Sequence, residues 1–166
     1  MKTKGTLIFF CGKMGAGKST LSQEIASKEG AILISEDEWL KSIYPDEIQN
    51  FDDYVKYSSR LKPVMKQHIQ NILNAGASVV MDFPGNTEKQ RQWFKELYTE
   101  CSCPHRLIYL EASDELCIKR ITSRAISQPE RAQFDTENIF RHVTSYFQPP
   151  SENEGFNINV VRIENA

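Results

Sequence analysis

The chain has 166 residues, of which 40% are hydrophobic and 25% are charged, and its formal net charge at pH 7 is -2. This length favours a single domain, 1–166, whose core needs no disulfide or metal, and the composition is that of a folded globular protein. The nearly balanced charge excludes a strong field attracting nucleic acid or membrane surfaces, and no apolar run approaches the roughly 20 residues of a membrane span.

Five short apolar segments predict buried β-strands, at 6–11, 31–34, 77–81, 106–110 and 156–162. Segments typical of helices lie between them, at 19–28, 38–43, 51–75, 87–98, 113–124 and 135–147. Strands that alternate with helices predict a parallel sheet covered on both faces. With right-handed crossovers, the predicted fold class is α/β, a three-layer α/β/α sandwich.

Several residues mark the ends or breaks of these helices. Thr87 and Gln90 have the spacing of a capping box, and Ser113 is suited to cap the helix that follows it. Asp135 is predicted to cap the last helix. Pro63 interrupts the long segment 51–75, which predicts either a kink or two separate helices.

The cysteines and the N-terminus both favour a cytoplasmic location. Cys11 and Cys117 lie in apolar patterns typical of buried thiols. Cys101 and Cys103 form a C-x-C pair close to His105, but a zinc site would need further ligands at suitable spacing. Free thiols are typical of a reducing cytoplasm. The apolar run after the basic N-terminus is short and continues into a Gly-rich loop, which favours a strand over a signal peptide.

A Gly-rich segment matches the P-loop pattern G-x-x-x-x-G-K-S in full, after a predicted strand and at the start of a predicted helix. Its glycines allow backbone N–H groups to wrap around phosphates, and the helix N-terminus adds free amides. Lys18 supplies a positive charge for the β- and γ-phosphates, and the Ser19 hydroxyl is a suitable Mg²⁺ ligand. The predicted ATP-binding residues of this segment are Gly12, Lys13, Met14, Gly15, Ala16, Gly17, Lys18, Ser19 and Thr20.

Asp37 follows the second predicted strand and is the candidate catalytic base. In an open parallel sheet, ligands bind beyond the carboxyl ends of the strands, so Asp37 is expected to face the same crevice as the P-loop. Phosphoryl transfer to an alcohol needs a group that orients or deprotonates the hydroxyl. The alternative is an ordinary N-cap for a helix at 38–43.

Asp82 ends the third predicted strand, which is the position of a Walker B carboxylate that reaches Mg²⁺ or contacts the acceptor. The alternative is a plain turn residue, because Phe83-Pro84-Gly85 is a turn signal. Residues 82–85 also match the D-x-x-G motif that occurs in GTPases. The chain contains no N-K-x-D motif for guanine recognition, which favours ATP over GTP.

Three arginines indicate a lid at about 121–135. Arg120 and Arg124 lie four residues apart and share one helix face, and Arg131 follows in a predicted loop. Guanidinium groups neutralise the charge that spreads over a transferring phosphoryl group, and a mobile loop can exclude water. The alternative is a solvated basic helix face.

These residues together resemble small P-loop kinases of the nucleoside-monophosphate-kinase-like group, and especially the kinases of the polynucleotide kinase, chloramphenicol phosphotransferase and zeta toxin type. The resemblance extends over nearly the whole chain, although only the P-loop is highly specific. It implies a five-stranded parallel sheet in the order 2-3-1-4-5. It also implies that Asp37 activates the acceptor and that Arg120 stacks on adenine or bridges phosphates. Arg124 and Arg131 would be lid arginines, and Pro149 or Pro150 would border the adenine.

One departure from the family concerns the acceptor. Polynucleotide kinases of this type carry an arginine where this chain has Leu40. The surrounding stretch 35–54 contains one basic residue, Lys41, and its acidic residues are Glu36, Asp37, Glu38, Asp46, Glu47, Asp52 and Asp53. An acidic region repels phosphate backbones, which argues against a nucleic acid partner.

The sequence therefore predicts an ATP- and Mg²⁺-dependent phosphotransferase acting on a hydroxyl of a small molecule. Two alternatives stay open at this point. One is a polynucleotide 5′-hydroxyl kinase, and the other is a nucleotide-binding toxin or regulatory ATPase without small-molecule kinase activity. The sequence gives no indication of oligomeric state.

Overall fold

A computed structural model describes residues 3–164. The strands are β1 (Leu7–Cys11), β2 (Ile32–Ser35), β3 (Val79–Asp82), β4 (His105–Glu111) and β5 (Ile158–Arg162). The helices are α1 (Lys18–Glu29), α2 (Glu36–Ile43), α3 (Phe51–Asn74), α4 (Glu88–Glu100), α5 (Asp114–Ser127) and α6 (Glu137–Thr144). Two short 3-10 turns, Pro129–Arg131 and Glu152–Glu154, complete the ordered elements.

The strands form one parallel sheet in the order β2-β3-β1-β4-β5, which confirms the predicted fold class and strand order. Strand β1 is central and every one of its residues is buried. Because side chains alternate along a strand, Leu7 and Phe9 pack into the core shared with α3 and α4, whereas Ile8 and Phe10 pack into the core shared with α1, α5 and α6. The sheet is therefore covered on both faces.

The parallel arrangement brings the ends of β1, β2 and β3 to one edge of the sheet. Ser35 at the end of β2 is in register with Asp82 at the end of β3. The P-loop leaves the end of β1, which lies next to β3. The loops that carry the candidate functional residues thus start side by side.

Four local predictions concern the ends and breaks of helices. The capping box of Thr87 and Gln90 and the Ser113 cap are both present. Helix α3 runs through Pro63 as one helix, so the alternative of two separate helices is wrong. The prediction that Asp135 caps the last helix is also wrong, because the Thr136 side chain accepts the capping hydrogen bond and the Asp135 carboxylate is occupied by arginines.

The predicted thiols Cys11 and Cys117 are buried, as are Cys101 and Cys103. Within residues 3–164, no helix is both long and apolar enough to cross a lipid bilayer.

Candidate active site

The P-loop connects β1 to α1 and has the backbone that its glycines were expected to provide. Gly15 and Gly17 adopt positive φ angles of 79° and 105°, which other residues rarely tolerate. A Cβ atom on Gly15 would lie 2.7 Å from the Cys117 carbonyl oxygen, because α5 packs directly against the loop. Glycine is therefore required at this position for two independent reasons.

The beginning of α1 fits a phosphate group. Gly17 is the N-cap, and no side chain among residues 3–164 caps the helix. The first backbone N–H groups of any helix lack partners within the helix, so the amides of Lys18, Ser19 and Thr20 can bind an anion. The nearby Lys18 ammonium donates to the carbonyl oxygens of Gly12 and Lys13, the second at 3.3 Å. Burial lowers the pKa of Lys18, although the negative charge of Asp82 opposes this.

Ser19 and Asp82 form the pair that could hold Mg²⁺. The Ser19 hydroxyl donates to Asp82 Oδ2 at 2.7 Å. Burial raises the pKa of Asp82, whereas the hydrogen bond from Ser19 and the charge of Lys18 oppose the change. A hydroxyl and a carboxylate in contact beside a phosphate cradle are hard oxygen donors of the kind that Mg²⁺ prefers.

Asp37 lies in the first turn of α2, directly beyond the end of β2, and its side chain is 67% exposed. Ser35 occupies the N-cap position of α2, so the alternative of Asp37 as that cap is wrong. Asp37 Oδ2 lies 3.8 Å from Arg131 Nη1. Because Ser35 at the end of β2 is in register with Asp82, Asp37 begins at the same edge of the sheet as the Ser19–Asp82 pair.

The arginines occupy two positions relative to the P-loop. Arg120 lies against the loop itself, with Nη1 donating to the carbonyl oxygens of Ala16 at 3.2 Å and Gly15 at 3.4 Å. Arg124 and Arg131 lie farther along, and both bind the Asp135 carboxylate. Arg124 donates to it twice at 2.7 Å, and Arg131 Nε donates at 3.1 Å.

Asp135 is a functional candidate that the sequence analysis missed. Its side chain is completely buried, and it holds both predicted lid arginines in place. Burial would raise the pKa of this carboxyl, but the hydrogen bonds and charges of Arg124 and Arg131 outweigh burial and lower the pKa below its ordinary value. The available signal was an acid that follows two arginines of a predicted lid by four and eleven residues.

Gln148, which precedes Pro149, and Arg120 contact different elements. Gln148, next to Pro149, donates its backbone N–H to Asn86 O at 2.8 Å and accepts from Glu88 N through its side chain. The segment before Pro149 therefore lies against the loop after β3, whereas Arg120 lies on the α5 side of the P-loop. The adenine contact of Pro149 stays a prediction.

An open cavity of about 440 Å³ lies beyond the carboxyl ends of β4 and β5. Lys13 of the P-loop forms part of its wall, together with the aromatic rings of Tyr109 and Phe147. The Lys13 ammonium lies 5.3 Å from the centre of the Phe147 ring and 2.7 Å from Asp114. The cavity adjoins the phosphate cradle and has room for a nucleotide base.

Most of the chain matches a known protein family. Residues 7–150, which include every strand except β5, match the AAA domain family. The chain belongs to this AAA domain family. It is also 29% identical over 156 residues to an adenylate kinase of Rickettsia akari, a match that covers 89% of this chain and 68% of that enzyme.

Solved structures share the fold of this AAA domain protein. A candidate kinase from Chloroflexus aurantiacus superimposes with a TM-score of 0.73 at 22% identity, covering 96% of this chain and 89% of the other. The APS kinase of Mycobacterium tuberculosis, solved with AMPPNP and APS, has a TM-score of 0.63 at 16% identity, covering 99% and 91%. The chain thus has a kinase-like P-loop fold, consistent with the nucleoside-monophosphate-kinase-like group.

Proposed function

We propose that this protein transfers the γ-phosphoryl group of ATP to a hydroxyl group of a small molecule. The observation that carries the proposal is the position of Asp37, an exposed carboxylate 3.8 Å from Arg131 and at the same edge of the sheet as the Ser19–Asp82 pair. A donor site and a group able to accept a hydroxyl proton therefore lie at the same edge of the sheet.

The donor half of the site is the P-loop. The free amides at the beginning of α1 bind the β-phosphate, and Lys18 compensates the charge of the β- and γ-phosphates. Ser19 and Asp82 would hold Mg²⁺, which neutralises phosphate charge when it is bound. Arg120 lies beside Gly15 and Ala16, where it can contact the phosphates or the base of the nucleotide.

The acceptor half of the site contains Asp37 and the lid arginines. Asp37 orients the acceptor hydroxyl and takes its proton as the oxygen attacks the γ-phosphorus, while the bond from that phosphorus to the β,γ-bridging oxygen breaks and ADP leaves. Arg124 and Arg131 stabilise the negative charge on the transferring group. Asp135 keeps both guanidinium groups oriented, which spares the reaction the cost of ordering them.

The charge around Asp37 favours a small molecule over a nucleic acid. The stretch 35–54 has seven acidic residues and one basic residue. The first turn of helix α2 exposes Asp37 and Glu38, so a polyanionic strand that approaches Asp37 meets like charge. A neutral hydroxylated compound meets no such repulsion.

A phosphate acceptor is the second candidate, because the chain is 29% identical to a protein named adenylate kinase. Its chemistry differs in one testable respect. A phosphate acceptor is already ionised at neutral pH, so its attack needs no base, whereas a hydroxyl acceptor depends on Asp37.

A screen for ATP consumption tests the proposal. Purified protein with ATP and Mg²⁺ is offered hydroxylated small molecules, AMP and a 5′-hydroxyl oligonucleotide as separate arms, and products are identified by mass spectrometry. We expect transfer to a hydroxylated small molecule and a loss of at least about 100-fold in Asp37→Asn.

The control is Glu38→Gln, which removes a neighbouring exposed charge and should retain transfer. Full activity in Asp37→Asn on a hydroxyl acceptor would overturn the role of the base. Transfer to AMP alone, at a rate that Asp37→Asn does not change, would establish the second candidate. Transfer to the oligonucleotide alone would overturn the proposed substrate class.

A further inference from the structure

The loop after β3 contacts both ends of the P-loop. At its start, Asp82 accepts a hydrogen bond from Ser19 at 2.7 Å. At its end, Asn86 Oδ1 accepts a hydrogen bond from the Gly12 backbone N–H at 2.8 Å. Because Gly12 and Ser19 begin and end the P-loop motif, a γ-phosphate held by that motif lies alongside residues 82–86.

The hydrogen bond to Gly12 fixes the orientation of the Asn86 amide. A backbone N–H can only donate, so the side-chain atom that faces it is the oxygen. The Nδ2 group is then left with two hydrogens, and within residues 3–164 no acceptor binds it. Asn86 is only partly buried, so this donor is available to a ligand.

Lys18 marks where such a ligand binds. Its ammonium donates to the Gly12 carbonyl oxygen, and the Gly12 N–H is bound by Asn86. The Lys18 ammonium and the Asn86 carboxamide therefore both hydrogen-bond to the backbone of Gly12. In a P-loop the lysine compensates the β- and γ-phosphates, so a free donor at this place is suited to a γ-phosphate oxygen.

The backbone of Asn86 is held on both sides. Its N–H donates to Gln90 Oε1 at 2.8 Å, and its carbonyl accepts from Gln148 N at 2.8 Å. The preceding Gly85 lies so close to β1 that a Cβ atom there would be 2.3 Å from the Phe10 carbonyl oxygen. The side chain is thus presented by a fixed loop, which is the condition for a preorganised contact.

We infer that Asn86 recognises the γ-phosphate of the bound nucleotide, with Oδ1 holding the first amide of the P-loop and Nδ2 donating to a γ-phosphate oxygen. This inference rests on the proposed function, because it takes ATP as the bound nucleotide. It adds a residue that distinguishes the triphosphate from the diphosphate and that holds the phosphoryl group during transfer.

The test compares the dissociation constants of ATP and ADP, with Mg²⁺, in the wild type and in Asn86→Asp, measured by calorimetry. Aspartate keeps an oxygen for the Gly12 N–H but loses both donors and adds a negative charge. We expect ATP affinity to fall by about tenfold or more while ADP affinity changes much less, because hydrogen bonds to charged groups are the strong ones.

Gln92→Glu is the matched control. It adds the same charge at an exposed position of α4, six residues after Asn86, so the ratio of ATP to ADP affinity should stay near that of the wild type. If Asn86→Asp does not fold, Asn86→Ser replaces it, since serine is too short to reach both the Gly12 N–H and the phosphate. The thermal unfolding midpoint without nucleotide reports folding in each variant.

Equal losses of ATP and ADP affinity in the Asn86 variant would overturn the inference and leave Asn86 a structural residue of the loop. If the wild type itself fails to bind ATP, the proposed function fails. If the wild type binds ATP and the affinity ratio is unchanged in the variant, only the inference fails.

Discussion

Glu36 is a carboxylate at the beginning of α2 that is only 2% exposed. It accepts hydrogen bonds from the hydroxyls of Tyr54 and Ser58 on α3, the second at 2.7 Å. Burial raises its pKa, although both hydrogen bonds oppose the shift. Because Glu36 precedes Asp37, these contacts fix the turn that carries the proposed base.

The raised pKa of Glu36 makes stability depend on pH. The relevant pH window lies between the ordinary pKa of Glu36 in the unfolded chain and its higher pKa in the folded protein. In this window the native state binds more protons than the unfolded state, so the free energy of unfolding falls as pH rises. Glutamine at this position does not ionise, so it contributes no pH dependence to the free energy of unfolding. Its amide group can still hydrogen-bond to the hydroxyls of Tyr54 and Ser58. We expect Glu36→Gln to gain stability relative to the wild type as pH rises through this window, in urea unfolding measured at a series of pH values.

Glu38→Gln is the comparison for this experiment, because Glu38 lies in the same first turn but is exposed. Its unfolding free energy should follow that of the wild type across the pH series. Parallel pH profiles for Glu36→Gln and the wild type would contradict the assignment of a buried, ionisable carboxyl at position 36.

At the scale of elements, Asp135 connects α5, the turn Pro129–Arg131 and the segment before α6. Arg124 belongs to the last turns of α5, and Arg131 ends the turn. Both depend on one buried carboxylate for their orientation, and Arg131 also reaches Asp37. The Asp135 carboxylate therefore links the two arginines of the predicted lid 121–135.

Replacing this carboxylate should weaken the predicted lid. In Asp135→Asn the two arginines lose their shared counter-ion, and a charge-assisted hydrogen bond contributes about 1.5–3 kcal/mol. We expect phosphoryl transfer to slow by at least about tenfold, and limited proteolysis to cut more readily within 121–135. Because the folded pKa of Asp135 is lowered, the wild type should also lose lid stability as pH falls through that value, and the variant should not.

The matched control is Glu137→Gln at the start of α6. Glu137 pairs with Arg141 at 2.8 Å, but both side chains are more than half exposed, and such pairs contribute little. Its transfer rate and cleavage pattern should match those of the wild type. If Asp135→Asn behaves in the same way as this control, the carboxylate does not organise the lid.

At the scale of the whole molecule, a buried ion pair attaches the C-terminal segment to the centre of the fold. Arg91 on α4 is 0% exposed and donates to both carboxylate oxygens of Glu154, at 2.8 and 3.2 Å. Its Nη1 also donates to Gly85 O at 2.9 Å and lies 3.8 Å from Cys11 Sγ. One guanidinium thus joins β1, the loop after β3 and the segment before β5.

Removing one partner should destabilise the protein strongly. Glu154→Ala leaves the Arg91 charge buried without compensation, which typically costs about 3–5 kcal/mol. Glu29→Ala is the control, because the Glu29–Arg106 pair has the same 2.8 Å distance but both side chains are about 40% exposed, and it should cost no more than about 1 kcal/mol. Equal costs in denaturant unfolding would show that burial of Arg91 has no energetic effect.

The phosphate cradle and the layered architecture were predictable because their signals are local. Residues 12–19 are consecutive in the sequence, so their spacing and residue types alone specify the P-loop. Short apolar strands that alternate with helices indicate a covered parallel sheet. The position of Asp37 followed from the rule that parallel strands end at one edge, and the 2-3-1-4-5 order followed from the family resemblance.

The pairing of distant side chains was decided only by the tertiary structure. Asn86 and Gly12, Arg91 and Glu154, and Arg131 and Asp37 are far apart in the sequence, and no periodicity relates them. Asp135 has the sequence features of a helix cap, yet packing turns its carboxylate towards two arginines. The sequence by itself determined a P-loop and its α/β sheet, because short-range chemistry specifies them. Which side chains surround the phosphates depends on how the loops pack, and that is a property of the whole fold.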